Sequence, residues 1–341
     1  MIPSRRSARA TGAALLAALT LAACATPGTG TDTRSARPGP PPSSTEGAPR
    51  VAADAMPGPP LASSAAWCDR ARVHDADRQD RLLRFAALVR GVLDASDHEV
   101  AVVSRTGIDL ERIGVRFSHA GVAIRRGGDV PWTVRQLYYA CDEARPGLYD
   151  QGIAGFLFNT DDPGTGHVSI VFPSRERAAR LADAARDRVR ALRLLAARYS
   201  ANAYAYSVRY QNCNQWVIEL MAAGWGGLAD GADLRERAQG WLAAQGYDPA
   251  PLVLDSHWLK FAASFSPMVH LDDHPPADRH GLRFTVSLPE SIETFVRTVD
   301  AGATRIELCH AGDTVVVRSG WRPIAKGCIA EPGDRTASLA R

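Results

Sequence analysis

The sequence predicts an α+β protein, and three observations predict it. Residues 117–140 place alternating strands on either side of Arg125-Arg126-Gly127-Gly128-Asp129, the pattern of a β-hairpin. Residues 77–95 and the segment that begins at Asn212 carry apolar side chains at helical spacing. From Gly281 onward the pattern turns mostly to strands, without the regular alternation of a βαβ fold and without internal repeats.

The elements follow in order. Leu82, Phe85, Ala86, Val89 and Leu93 define a helix over 77–95 that Asp77 or Asp80 can cap. Strands are expected at 99–104, 116–124, 132–140 and 167–172, with a short helix at 151–159 and a long Arg- and Ala-rich helix at 174–195. Asn212 is a strong N-cap, Gln215 imitates a capping box, and Gly224 ends the helix. Cys213 then becomes its first residue, with Trp216, Val217, Leu220 and Met221 as the buried stripe. Helices at 234–245 and 256–264 and strands at 282–286, 305–308 and 314–317 complete the reading.

The ends divide the chain. Arg5, Arg6 and Arg9 precede an apolar run at 13–21 that is too short to span a bilayer, so 1–24 reads as a secretory signal peptide. Its end, Leu21-Ala22-Ala23-Cys24, resembles a bacterial lipobox. The resemblance implies cleavage before Cys24, a lipid anchor on its thiol and, with Ala at position 25, transfer to the periplasmic face of a Gram-negative outer membrane. Residues 25–64 are rich in Pro, Gly, Ser and Thr and cannot bury a core. They read as a disordered tether with a root-mean-square span of about 35 Å. The folded body is expected as a domain over 65–265 and a β-rich extension over 266–341. A formal charge of +3 on 341 residues, partly carried by the signal peptide and tether, gives no case for nucleic acid as a partner.

Six cysteines fit an oxidising compartment. Cys24 is the lipid site and Cys213 is free. Cys309 and Cys328 flank a hairpin-like loop that a disulfide can close, and Cys68 with Cys141 would form a second bridge. Four cysteines allow three pairings, so the connectivity stays open here.

Cys213 and His119 carry the chemistry. A thiol at a helix N-terminus feels the positive end of the dipole, which favours the thiolate. A histidine at the start of a strand, followed by Ala120-Gly121, can take its proton. Gln136, on the adjacent strand, can orient the imidazole. The Cys213 backbone N–H, with Gln211 or Tyr210 as a second donor, would stabilise an oxyanion. A second group, His257, His270, Asp272, Asp273, His274 and His280, has metal-binding residue types. It lies near Pro275-Pro276 with no helical histidine pair, so it reads as a polar loop or a lid. No metal and no cofactor is expected. Gly-rich phosphate loops and serine nucleophile elbows are absent from the sequence.

The order His119, Gln136, Asn212-Cys213 resembles the circularly permuted papain-like superfamily, which includes lecithin retinol acyltransferase and certain bacterial lipoprotein amidases. Its members carry a His-x-Gly-hydrophobic strand, a strand with a polar third residue and an Asn-Cys helix start. The resemblance implies an antiparallel sheet packed on a Cys-bearing helix. The third residue is often His there; Gln136 departs from that and supplies no charge. From about Trp67 onward the chain also resembles the bacterial family known as domain of unknown function 2145. The stretches that carry this are Asp80-Arg81-Leu82-Leu83-Arg84-Phe85-Ala86, Phe117-Ser118-His119-Ala120-Gly121-Val122, Trp132-Thr133-Val134, Leu271-Asp272-Asp273-His274-Pro275 and Ile306-Glu307-Leu308-Cys309-His310. The expected function is thiol-dependent hydrolysis or acyl transfer on an amide, ester or thioester of envelope material. The alternative is an envelope lipoprotein that binds a peptide or lipid in the same cleft without reaction.

Overall fold

A computed structural model describes residues 75–340 apart from 108–109, 111–113, 126, 128–129, 141–142 and 159–163. The described residues all fall in one compact unit, Gly58–Arg341. The signal peptide and tether, with Cys24, Cys68 and Cys141, lie outside the described residues. Among the described residues no helix is long and apolar enough to cross a membrane.

Helix α1 (Ala76–Asp94) opens the fold, its Asp75 cap accepting from the Arg78 N–H, and buries the five apolar residues that its periodicity marks. Strands β1 (Val100–Arg105), β2 (His119–Ile124), β3 (Thr133–Ala140) and β4 (Arg145–Gly152) follow, then the short α2 (Ile153–Leu157) and β5 (Thr165–Phe172). The expected hairpin forms, with Val122 opposite Arg135 and Ile124 opposite Thr133. β4 has no clear apolar alternation and escapes a sequence reading. It exists because β3 offers a free edge along its whole length, from Thr133↔Gly152 to Ala140↔Arg145. The expected helix at 151–159 shortens accordingly.

The long helix expected at 174–195 is two helices, α3 (Arg175–Arg186) and α4 (Arg188–Arg193). Asp187 leaves helical geometry at ψ 99°, and its carboxylate accepts from the N–H groups of Val189 and Arg190, capping the second helix. The chain continues through α5 (Cys213–Trp225), α6 (Leu234–Ala244), β6 (Leu252–Val253), α7 (His257–Ala263), α8 (Pro276–Gly281), β7 (Arg283–Phe284) and α9 (Pro289–Val299). It ends in β8 (Thr304–Ala311), β9 (Thr314–Ser319) and β10 (Arg335–Ser338). The strand expected at 282–286 forms the two-residue β7, paired with β6, and a single antiparallel bridge from Val286 to Tyr204.

The protein is α+β, built on one eight-stranded antiparallel sheet in the order β10-β9-β8-β5-β1-β2-β3-β4. The C-terminal strands extend this same sheet, because β8 pairs β5 from Thr165↔Ala311 to Phe172↔Thr304. Strand alternation divides the core in two. Val100, Val102, Ala120, Val122 and Leu137 pack with α3, α5 and α6 on one face. Ala101, Val103, Ala123 and Val134 pack with α1 and α2 on the other. Every residue of α5 is buried, so this helix is a central rod rather than an amphipathic surface helix.

Candidate active site

The Cys213 helix begins as its sequence dictates. Asn212 is extended, at φ −103° and ψ 174°, and its side chain accepts from the Gln215 N–H at 2.7 Å. The reciprocal half of a capping box is missing. The Gln215 amide instead donates to the carbonyls of Tyr204, Ala205 and Ser207 and ties the preceding loop to the helix. Cys213 is buried and is the one free cysteine among the described residues.

The thiol lies in a ring of polar backbone. Its Sγ is 3.6 Å from Asn214 Oδ1 and 4.0 Å from the Ser118 carbonyl. The backbone N–H groups of Ala120, Asn214 and Cys213 itself favour the thiolate, as does the Arg105 charge. Burial outweighs all of them and pushes the thiol up to about 11. This reverses the sequence-based expectation of a thiol below its ordinary value: the dipole is a local effect, and desolvation by the packed core is larger.

His119 and Gln136 meet as expected. Nε2 of the buried ring lies 2.6 Å from Gln136 Oε1. An amide oxygen only accepts, so Nε2 carries the proton and Nδ1 keeps the lone pair of the neutral ring. Gln136 Nε2 donates to Gln151 Oε1 at 2.7 Å, which fixes the amide's direction. The ring packs against Tyr138 and Phe156, with centroids 4.9 and 5.9 Å away. Burial, then the Arg105 charge, push the imidazole down to about 3. Gly121 allows the approach: a Cβ there would meet Val134 Cγ1 at 2.6 Å, the Arg135 carbonyl at 3.1 Å and Gln136 Cβ at 3.3 Å.

The structure does not join the thiol to the ring. No hydrogen bond links Cys213 to His119; the sulfur sits against the backbone on both sides of residue 119 instead. Along β2 the side chain of Ala120 packs with Cys213, so alternation starts the His119 side chain toward the opposite face. The strand ladder between β2 and β3 begins only at Val122, so His119 is paired on the β1 side alone, opposite Arg105.

The two oxyanion candidates are corrected. Both amide hydrogens of Gln211 are committed, to the Leu194 carbonyl at 2.8 Å and to Glu219 Oε2 at 2.6 Å, while its oxygen accepts from the Ala196 N–H. The Tyr210 hydroxyl donates to Asp272, and its ring stacks on His270 at 4.5 Å. Neither side chain has a free donor for substrate; the backbone N–H groups of Cys213 and Asn214 remain. Sequence reasoning missed Arg105, Asn214 and Gln151. Only Asn214, beside Cys213 in the first helical turn, carried a local signal.

The histidine and aspartate segment is a packing clamp. His274 Nε2 donates to the Asn202 carbonyl at 2.7 Å, Asp273 accepts from the Tyr204 N–H, and Asp272 pairs with Arg209 at 2.6 Å. Cys309 and Cys328 are bridged, with their Cα atoms 5.5 Å apart.

An antiparallel sheet closed over a fully buried helix that starts with a cysteine defines an α+β domain with a shielded thiol centre. Residues 92–296 match the family of uncharacterized proteins conserved in bacteria (DUF2145), well over half the chain, and the protein belongs to that family. His119, Gln136 and Cys213 fall inside the matched span, whereas Cys309 and Cys328 fall outside it. No curated protein and no solved structure matches the chain.

Proposed function

We propose that this protein is a lipid-anchored envelope thiol hydrolase or acyltransferase with a permuted papain-like core. The observation that supports it is the nest of N–H groups from Ala120, Cys213 and Asn214 around Sγ at the start of α5. His119 lies on the face of the sheet opposite Cys213, so this reading requires the ring to leave Gln136 and turn past the start of β2 to the thiol. His119 Nδ1 takes the thiol proton as Sγ attacks the carbonyl carbon of an amide, ester or thioester. The N–H groups of Cys213 and Asn214 receive the oxyanion. The imidazolium returns its proton to the leaving group, and water or an amine then releases the acyl group.

The reading is tested with p-nitrophenyl acetate and mass spectrometry. Wild type should gain one acetyl group on Cys213, and Cys213→Ala should gain none there. His119→Ala should slow acetylation by roughly 10²-fold or more, the usual scale of general-base assistance. Equal rates in wild type and His119→Ala would remove the enzyme reading.

One observation favours the second reading, a peptide- or lipid-binding protein: thiol and ring share no hydrogen bond, and burial keeps both neutral. An apolar partner suits either reading, because Trp258, Phe261 and Phe265 stand exposed on and beside α7. The anchor at Cys24 and the outer-membrane location belong to the same proposal. Cys24→Ser should release the protein from the membrane fraction; retention with the signal peptide removed would overturn that part.

A further inference from the structure

We propose that His167, Cys309 and Cys328 form a redox-gated site for a zinc-type divalent cation, closed while the Cys309–Cys328 bridge stands and open once it is reduced. The site is independent of the thiol centre at Cys213.

The register of the sheet builds it. His167 on β5 lies directly opposite Cys309 on β8. The loop after β9 returns Cys328 to the same place, so one donor atom from each residue lies within 4.8 Å of the others. His167 Nε2 is 3.3 Å from Cys309 Sγ. In a tetrahedral zinc site with Zn–S near 2.3 Å and Zn–N near 2.1 Å, that separation would be roughly 3.6 Å, a difference of a few tenths.

The hydrogen bonds point the ring as a ligand. His167 Nδ1 lies 3.2 Å from Glu307 Oε1. Glu307 is fully buried and held by Arg116 at 2.9 Å, Arg305 at 2.9 Å and the Ile324 N–H at 3.1 Å. An ionised carboxylate only accepts, so Nδ1 carries the proton and Nε2 directs its lone pair at the sulfur. A disulfide sulfur has no proton to give in return. The closed bridge therefore leaves this nitrogen facing an atom that cannot satisfy it. A carboxylate behind a histidine whose other nitrogen faces two sulfurs is the second-sphere arrangement that orients zinc ligands.

The chemistry balances. A dithiol reductant transfers two electrons to the S–S bond and becomes a cyclic disulfide, and its two protons end on Cys309 and Cys328. An incoming divalent cation displaces both protons. Two thiolates then neutralise its charge, His167 supplies the third ligand, and the fourth position is left for water.

The test uses the full chain carrying Cys213→Ala, reduced with a phosphine, which leaves no competing dithiol in solution, and titrated with Co²⁺. The reduced protein should take one equivalent and show tetrahedral d–d bands with sulfur-to-metal charge transfer; Zn²⁺ should erase them. The oxidised protein should show neither. Cys309→Ser and Cys328→Ser should each abolish the spectrum, and His167→Ala should weaken binding at least tenfold. Far-UV circular dichroism follows folding throughout. A folded, reduced protein without the spectrum would overturn the proposal. So would a spectrum that survives both serine variants, or unfolding on reduction that the metal does not reverse.

Discussion

Replacing Arg235 by Leu should destabilise the protein by about 3 kcal/mol, and the number follows from what the arginine leaves behind. Glu219 is fully buried in the middle of α5. Its carboxylate accepts four hydrogen bonds: Arg235 Nε at 2.8 Å, Arg235 Nη2 at 3.0 Å, Gln211 at 2.6 Å and Gln239 at 2.8 Å. Removing one partner of a buried ion pair costs about 3–5 kcal/mol, because the other charge is stranded. The two glutamines survive in Arg235→Leu, which sets the lower end of that range. At about 2–4 °C per kcal/mol for a domain of this size, the melting temperature should fall by roughly 6–12 °C. Adding Glu219→Gln removes the stranded charge. The double variant should therefore be more stable than the sum of the single losses, by at least about 1 kcal/mol. Thermal melts of wild type, both single variants and the double variant decide it. A fall of less than about 2 °C in Arg235→Leu, or strict additivity, would refute the stranded-charge argument. The same network holds Gln211, two residues before Cys213, so the thiol's position depends on it.

Acid should unfold the protein partly through His119. The unfolded ring protonates near 6.5, whereas the folded ring resists until about 3. Between those values the unfolded chain binds more protons, so stability falls as pH drops through that window. The limit is roughly 5 kcal/mol at 1.36 kcal/mol per pK unit. Denaturant melts from pH 7 to 4 should show a shallower slope for His119→Gln, and parallel slopes would contradict a buried neutral ring. Alkylation of Cys213 by iodoacetamide should rise about tenfold per pH unit from 7 to 10, because a thiol at about 11 is roughly one thousandth ionised at pH 8. A plateau below pH 8.5 would mean that the shielded neutral thiol is not the solution state. Gly121→Ala should cost about 1–3 kcal/mol by overpacking against Val134 and Gln136. It should also disturb the His119 ring resonances in NMR spectra; unchanged resonances and an unchanged melt would show that β3 yields freely.

The sequence by itself determined what short-range rules control. Helical spacing placed α1, a double-glycine turn placed the β2–β3 hairpin, and Asn212 placed Cys213 at the first position of its helix. Each signal is complete within a few residues, because capping, turn geometry and face periodicity are local. The meeting of His119 with Gln136 was also legible, since neighbouring strands of a hairpin bring their residues together. Only the tertiary structure decided the rest. β4 forms on the free edge of β3 without a pattern of its own. The C-terminal strands join the main sheet because β8 finds β5, a pairing across more than a hundred residues. Gln211 looked like a donor beside Cys213, yet Leu194, Ala196 and Glu219 consume its side-chain hydrogen bonds. The state of the thiol was decided in the same way. A helix start predicts a lowered value, but the number of apolar groups that exclude water from Cys213 is set by chain segments far away in sequence. Desolvation sums over all of them, and no local pattern records that sum.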